Sequence, residues 1–380
     1  MTLTQTAKTF RLVVKTVGIT IVGLFIFRAS ILIYQLLFPA TPPTPPSAAF
    51  DAKYGQIPTL IMQVTSVQYT TPYTIRQDLL EYQLPTKPEV ANVYPILKAP
   101  YGFLSEDRAN DIANVFGFTG EPIKLNASDS RWTGPNKFLT INTQTLNFSY
   151  QYKYSLDSSV FKPGIFTSEA QVIKFASNLN AQYNITGSFA DDLSGGQTQI
   201  SRLKYLNQKL QPVLTIAEAS AIRVDFLRNP VSIGKNTYPF VYPRYTGATT
   251  YTLIGSTSNG NLQAVEVYYR LWRYRSDMAG VYPMVSSQVA WENIQANPEK
   301  FTVYVGNLEL GPMDRNTSTP IVNEVVVKQV YFAYYDTDDE QEYIQPVWVF
   351  IGKANLASSG QLDWVGYVPA IDPKYVKTSN

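Results

Sequence analysis

Cysteine and histidine are both absent from the 380 residues. Without cysteine there is no disulfide, no thiolate nucleophile and no sulfur-ligated metal. Without histidine there is neither an imidazole ligand nor the usual general base near neutral pH. Charge is sparse as well, at 16% against 45% hydrophobic and 13% aromatic residues, so the chain has ample material for two or three cores. A basic surplus is also lacking. The formal charge of +2 rests on Lys8, Arg11, Lys15 and Arg28, which all precede the first acid, Asp51. Taking those four from 31 basic residues leaves 27 against 29 acids, a balance that argues against nucleic acid as a partner.

What the chain does have is a long apolar run from Thr16 to Phe38. As a helix at 1.5 Å per residue it would span about 34 Å, enough for a hydrocarbon core of about 30 Å. The spacing predicts a cytoplasmic tail at 1–15, a transmembrane helix at 16–38, and a single-pass protein of the cell membrane whose bulk is extracytoplasmic, because the basic tail stays inside. The rival reading is a signal peptide cleaved near Ser47-Ala48-Ala49; against it, the apolar run exceeds a usual h-region and a proline-rich stretch separates it from that site.

Arg28 falls near the midplane of the span, where a charge costs about 2.5–3.5 kcal/mol. Gln35 lies seven positions on, on the same helical face. The arginine either snorkels to the headgroups of the lipid bilayer or meets an acid on a membrane-protein partner, which makes Arg28 and Gln35 candidate intramembrane contacts. Pro39 to Pro46 reads PATPPTPP, an extended polyproline spacer, and residues 39–60 are predicted as a Pro-rich stalk.

Beyond the stalk a pattern returns. Ser105 with Glu106 and Asp107 opens a helix that Gly117 ends; strands follow around Arg131-Trp132, at Lys137 to Ile141 and at Leu146 to Tyr154. Thr167-Ser168 opens a second helix and Ser286-Ser287 a third that stops before Pro298. Strand-like runs follow the second at Ile200 to Leu206, Val213 to Leu227, Tyr251 to Ile254 and Gln263 to Arg275, with Asn259-Gly260 turning the last pair. After the third come Phe301 to Leu308, Val322 to Tyr335, Tyr343 to Ile351 and Leu362 to Val368. The expected fold class is α+β: one N-terminal transmembrane helix plus an extracytoplasmic region dominated by antiparallel sheet, in helix-plus-meander modules at 61–160, 161–285 and 286–380.

The segment VAWENIQANPEKFTVYVGNLELG, followed by VVVKQVYFAYY, YIQPVWVFIG and WVGYVPAI, resembles the closing domain of the YycH/YycI family of single-anchor extracytoplasmic regulators, with Pro346-Val347-Trp348 on a late strand. RWTGPNKFLTINTQTLNFSY is similar to PepSY-type helix-and-hairpin units. YGQIP at Tyr54 to Pro58, GFTGEP at Gly117 to Pro122 and Arg131-Trp132 resemble uncharacterised single-anchor proteins of reduced-genome bacteria. These resemblances cover about half the chain and hold no catalytic motif; they imply a non-enzymatic interaction or regulatory module beside a membrane partner.

The residues themselves assign no catalytic, cofactor or metal site. An EF-hand loop starting at Asp336 would need glycine sixth and glutamate twelfth, where Gln341 and Val347 stand, so the acidic run Asp336 to Glu342 reads as a solvated hairpin tip, with a weak ion site as the alternative. Ser159 to Lys162 and Ser201 to Lys204 match S-x-x-K without a K-T-G companion, and Asp191-Asp192 sits in a glycine-rich polar loop. In VEVYYRLWRYR at Val265 to Arg275, strand alternation places Tyr268, Arg270, Trp272 and Tyr274 on one face. That ladder is either a glycan- or polymer-binding surface, through stacking and cation–π contact, or a face covered by the chain itself. The leading expectation is therefore an anchored interaction or regulatory protein of the cell envelope. The alternatives are a structural surface protein that forms a homo-oligomer or grips wall polymer, and a histidine-free hydrolase.

Overall fold

The computed structural model describes residues 49–79, 83–86, 88–97, 105–183, 193, 197–257, 259–313 and 319–377. The predicted tail at 1–15, the transmembrane helix at 16–38 with Arg28 and Gln35, and Pro39 to Pro46 lie outside the described residues, as do Asp191 and Asp192. Among the described residues no helix is long and apolar enough to cross a membrane.

In chain order, β1 (Gln68–Gln77) and β2 (Val90–Pro95) precede α1 (Ser105–Val115), and β3 (Ile123–Lys124), β4 (Asp129–Gly134), β5 (Lys137–Asn142) and β6 (Phe148–Tyr152) follow it. After α2 (Glu169–Tyr183) come β7 (Thr198–Leu206), β8 (Lys209–Pro212), β9 (Ala221–Phe226), β10 (Val231–Ile233), β11 (Asn236–Tyr238) and β12 (Phe240–Val241). Next are β13 (Tyr251–Ser256), β14 (Leu262–Tyr269) and β15 (Gly280–Pro283). Finally α3 (Ser287–Ala296) leads into β16 (Thr302–Gly306), β17 (Ile321–Tyr335), β18 (Tyr343–Leu356) and β19 (Gln361–Pro369).

Local chemistry starts and stops the helices. Ser286 Oγ accepts the Val289 amide at 3.2 Å, and Ser168 Oγ accepts the Gln171 amide at 3.2 Å, so each supplies a partner for a first-turn N–H. At the end of α1 the Phe118 amide reaches the Ala113 carbonyl and the Gly117 amide that of Asn114, a closure that needs the positive φ of +69° held by Gly117.

The fold is α+β with mostly antiparallel sheet. A nine-stranded sheet runs β3-β4-β5-β6-β14-β13-β9-β7-β8, every pair antiparallel. The strands after α1 and those after α2 thus share one sheet, joined where β6 pairs with β14. An eight-stranded sheet is built on β1-β17-β18-β19-β16, with β12 on β17 and with β2 bridging β15 and β18. Its parallel pairs, β1 with β17 and β12 with β17, bring early chain beside late chain. Part of the stretch expected as stalk is also docked: Ile57 bridges Val376 and is fully buried.

Each sheet buries the faces its sequence marks as apolar. α1 sets Ala109, Ile112 and Ala113 against Leu139, Phe148 and Tyr269, while α2 sets Val172 and Ala176 against Ile222, Val224 and Ile254. On the other sheet α3 brings Trp291 and Ile294 to Trp348, Phe350 and Trp364, all at 6% exposure or less. Burial of that order contributes about 1.5–3 kcal/mol per large side chain. Gly366 lets α3 approach, since a Cβ there would stand 2.5 Å from Ile294 Cδ1.

Two expected strands are shorter than their apolar runs. Val213 to Leu227 is interrupted by a 3₁₀ turn at Ile216–Glu218, where the Thr215 amide and hydroxyl both donate to Glu218. Gln263 to Arg275 stops as a strand at Tyr269, because the Arg270 amide turns to the Thr250 hydroxyl at 3.3 Å. Strands β1, β2, β3, β8, β10, β11, β12 and β15 fall in stretches with no strand expectation.

Candidate functional site

Where the two sheets meet, the ends of β9, β14 and β17 and the residues leading into β13 converge on a buried ion pair. Arg228, just after β9, donates from Nη1 to Asp336 Oδ1 at 3.0 Å, and Asp336 follows β17. The two side chains are 2% and 0% exposed. Arg228 Nη2 donates to the Trp272 carbonyl at 2.8 Å, and the guanidinium lies against the rings of Phe240 and Tyr274, 4.6 and 5.2 Å from their centroids. The Thr249 hydroxyl stands 3.0 Å from both Asp336 Oδ2 and the Arg270 carbonyl. A buried charge pair survives desolvation only with such extra partners. The acidic run therefore begins inside the protein: Asp336 is no part of a solvated tip, because a cation 108 positions away reaches it.

Beside this pair is a second, layered one. Arg223 holds Asp225 through two bonds, Nε to Oδ2 at 2.9 Å and Nη2 to Oδ1 at 2.6 Å, and Asp225 Oδ1 also accepts the Ala248 amide at 2.9 Å. The Arg223 guanidinium lies 3.5 Å over the Tyr251 ring; Tyr251 stacks on its cross-strand partner Tyr268 at 5.6 Å and 15°; Arg270 covers Tyr268 at 4.6 Å. The order is cation, ring, ring, cation. Each cation–π contact contributes about 0.5–2 kcal/mol depending on its desolvation.

Two cavities open against these layers. One, of 190 Å³, is lined by Arg223, Thr249, Tyr251, Tyr268 and Asp338. The other, of 670 Å³, lies between Gln63 to Ser66 and Val303 to Val305 of β16. Pro243, Arg244 and Pro312 line both, so the two adjoin as halves of a cleft, with Arg244 on their shared wall. The exposed Arg244 and the half-buried Asp338 take no ion-pair partner among the described residues. Burial, with Asp336 nearby, pushes the Asp338 carboxyl above its ordinary range, against the pull of Arg270 and Arg244.

The four residues expected as one aromatic ladder part company at the end of β14. Tyr268 lines the cleft with Arg270 over its ring, whereas Trp272 is buried with its Nε1 donating to the Thr337 carbonyl at 2.6 Å, and Tyr274 packs 4.9 Å from Tyr94. Sequence reasoning did not single out Arg244, Arg223 or Tyr251. The turn-like Pro243 to Gly247 was the available signal for Arg244, but nothing local marks its juxtaposition with Asp338. Among the described residues no group of three or more aspartates and glutamates has metal-holding geometry.

Comparison with protein-family models and with curated proteins returns no match. Among solved structures, the crystal structure of an uncharacterized protein from Eubacterium rectale is similar over 77% of this chain and 85% of that one, with a TM-score of 0.34 and 11% identity.

Proposed function

We propose that the chain is a membrane-anchored, extracytoplasmic recognition module of the cell envelope, non-enzymatic, acting on a partner or ligand through the cleft at the sheet junction. The observation that carries this reading is the cleft itself: adjoining cavities of 670 and 190 Å³, with hydrogen-bonding groups at Gln63, Thr65, Ser66 and Thr249 and, shared by both, an arginine with no ion-pair partner among the described residues. Of its other charges, Arg223 is spent on Asp225 and holds the wall, which suits binding better than proton transfer. The apolar run at 16–38 supports the anchor, and the resemblance to YycH/YycI regulators supports a regulatory role beside a membrane protein.

The test is gentle detergent extraction of the full chain from native membranes, with crosslinking and mass spectrometry on wild type, Arg28→Leu and Arg244→Glu. A stoichiometric partner lost from Arg244→Glu supports recognition at the cleft, and one lost from Arg28→Leu adds an intramembrane contact. Self-crosslinks or wall material alone, unchanged in all three samples, would overturn the proposal in favour of a structural role.

A further inference from the structure

The small end of the cleft carries two opposite charges that never meet. Arg244 and Asp338 line the same 190 Å³ cavity and sense each other electrostatically, yet no ion pair joins them. Arg270, 4.6 Å over the Tyr268 ring, also acts on Asp338 electrostatically, and its guanidinium donates from Nη1 to the Tyr269 carbonyl at 3.3 Å. Long arginines close on nearby carboxylates where they can, because an unpaired half-buried charge is costly. Here the two stand on different elements: Arg244 follows Pro243, and Asp338 follows the buried Asp336-Thr337 pair, whose Thr337 carbonyl is held by Trp272.

A simple anion would satisfy Arg244 but be repelled by Asp338, and a simple cation would meet the reverse. Both are satisfied by a ligand carrying a carboxylate and an ammonium close together. The volume sets the size, since 190 Å³ holds about six waters, too little for a drug-sized molecule but enough for one small head group. The adjoining 670 Å³, reached past Arg244, leaves room for whatever the head is attached to.

We infer that the cleft binds an α-amino-acid head group, its carboxylate on Arg244, its ammonium on Asp338, and its tail directed past Pro312 into the larger cavity. The inference rests on the recognition reading above. The head belongs either to a free amino acid or to a longer molecule that displays one, and the two sources share this chemistry.

Calorimetric titration of the detergent-solubilised full chain decides it, with L-alanine, D-alanine, acetate, ethylamine and Nε-acetyl-lysine as probes. At least one alanine should bind, acetate and ethylamine should bind about tenfold or more weakly, and both Arg244→Gln and Asp338→Asn should weaken alanine by about tenfold or more. Tighter binding of Nε-acetyl-lysine than of alanine would assign the head to a longer molecule, and equal binding to a free amino acid; either supports the site. Asp338→Asn keeps its fold on this reasoning, because burial already disfavours the charge, and an unlowered melting temperature checks that. Acetate binding as tightly as alanine and indifferent to Asp338→Asn would overturn the inference in favour of a plain anion site. Absence of heat with every probe would also overturn it. A crosslinked partner retained by Asp338→Asn in the extraction experiment would then show that the recognition reading survives without the amino-acid site.

Discussion

Removing Asp336 should cost more than any surface change on this protein, and the structure gives the amount. Its carboxylate is fully buried and accepts from Arg228 Nη1 at 3.0 Å, with the Thr249 hydroxyl at the same distance. In Asp336→Ala the arginine is left as an uncompensated charge, a situation worth about 3–5 kcal/mol, against a total stability of about 5–15 kcal/mol for a typical domain. Arg228→Met should cost a similar amount by stranding the carboxylate. The double substitution Arg228→Met with Asp336→Leu removes both charges and fills part of their volume, so it should recover most of the loss, giving a coupling of at least about 2 kcal/mol. Guanidinium unfolding of the full chain in detergent, followed by tryptophan fluorescence, reads all four members of the cycle; Trp272 is a suitable reporter because its Nε1 is bound to the Thr337 carbonyl, next to Asp336. Single losses below about 1 kcal/mol that simply add in the double variant would refute the claim that this pair fastens the two sheets.

Other consequences can be measured on the same material. Ser286→Ala removes the cap on the Val289 amide and should cost about 1 kcal/mol by the same unfolding assay, with Ser286→Asp restoring it. Gly366→Ala forces a Cβ against Ile294 and Trp364 and should destabilise by about 1–3 kcal/mol, with Ile294→Val in the same chain giving part of it back. Burial raises the buried hydroxyls of Tyr150 and Tyr335 to about 12 from 10. A raised value means that the protonated form is favoured in the fold, so this contribution is intact below pH 10 and is lost as pH climbs through about 12, by about 3 kcal/mol per tyrosine. Ultraviolet titration should show these phenols ionising together with unfolding, and a normal titration near 10 with the fold intact would contradict it.

What could be read from the sequence was what the chain decides locally. Ser286 and Ser168 announced their helices because a cap needs only the next three residues, and the long alternating runs at β17 and β18 announced a hairpin that pairs them from Val322 with Leu356 to Tyr335 with Gln345. Strand β1, QYTTPYTIRQ, was silent because it is polar, holds a proline and becomes a strand by lying parallel to β17, some 250 residues later. The candidate site was hidden for the same reason. Tyr268 and Arg270 were visible as an aromatic and cationic pair, but their neighbours Tyr251, Arg223 and Asp338 come from other elements, and no spacing along one strand encodes a meeting of two sheets.

The docking of Ile57 against Val376 closes the described region into a ring. The Ile57 amide donates to the Tyr375 carbonyl at 2.9 Å, the Lys377 amide donates to Ile57 at 2.8 Å, and Thr59 Oγ1 reaches Lys377 across 318 positions of sequence. Joining such distant points in an unfolded chain would cost about 5 kcal/mol of closure entropy, more than these few bonds return. Once both sheets exist, the two stretches are already neighbours and most of that cost has vanished. The clasp is thus a feature that only a finished fold can support, and a fluorophore pair at residues 59 and 377 would light up as a proofreading signal, reporting complete assembly and staying dark for every partly folded form.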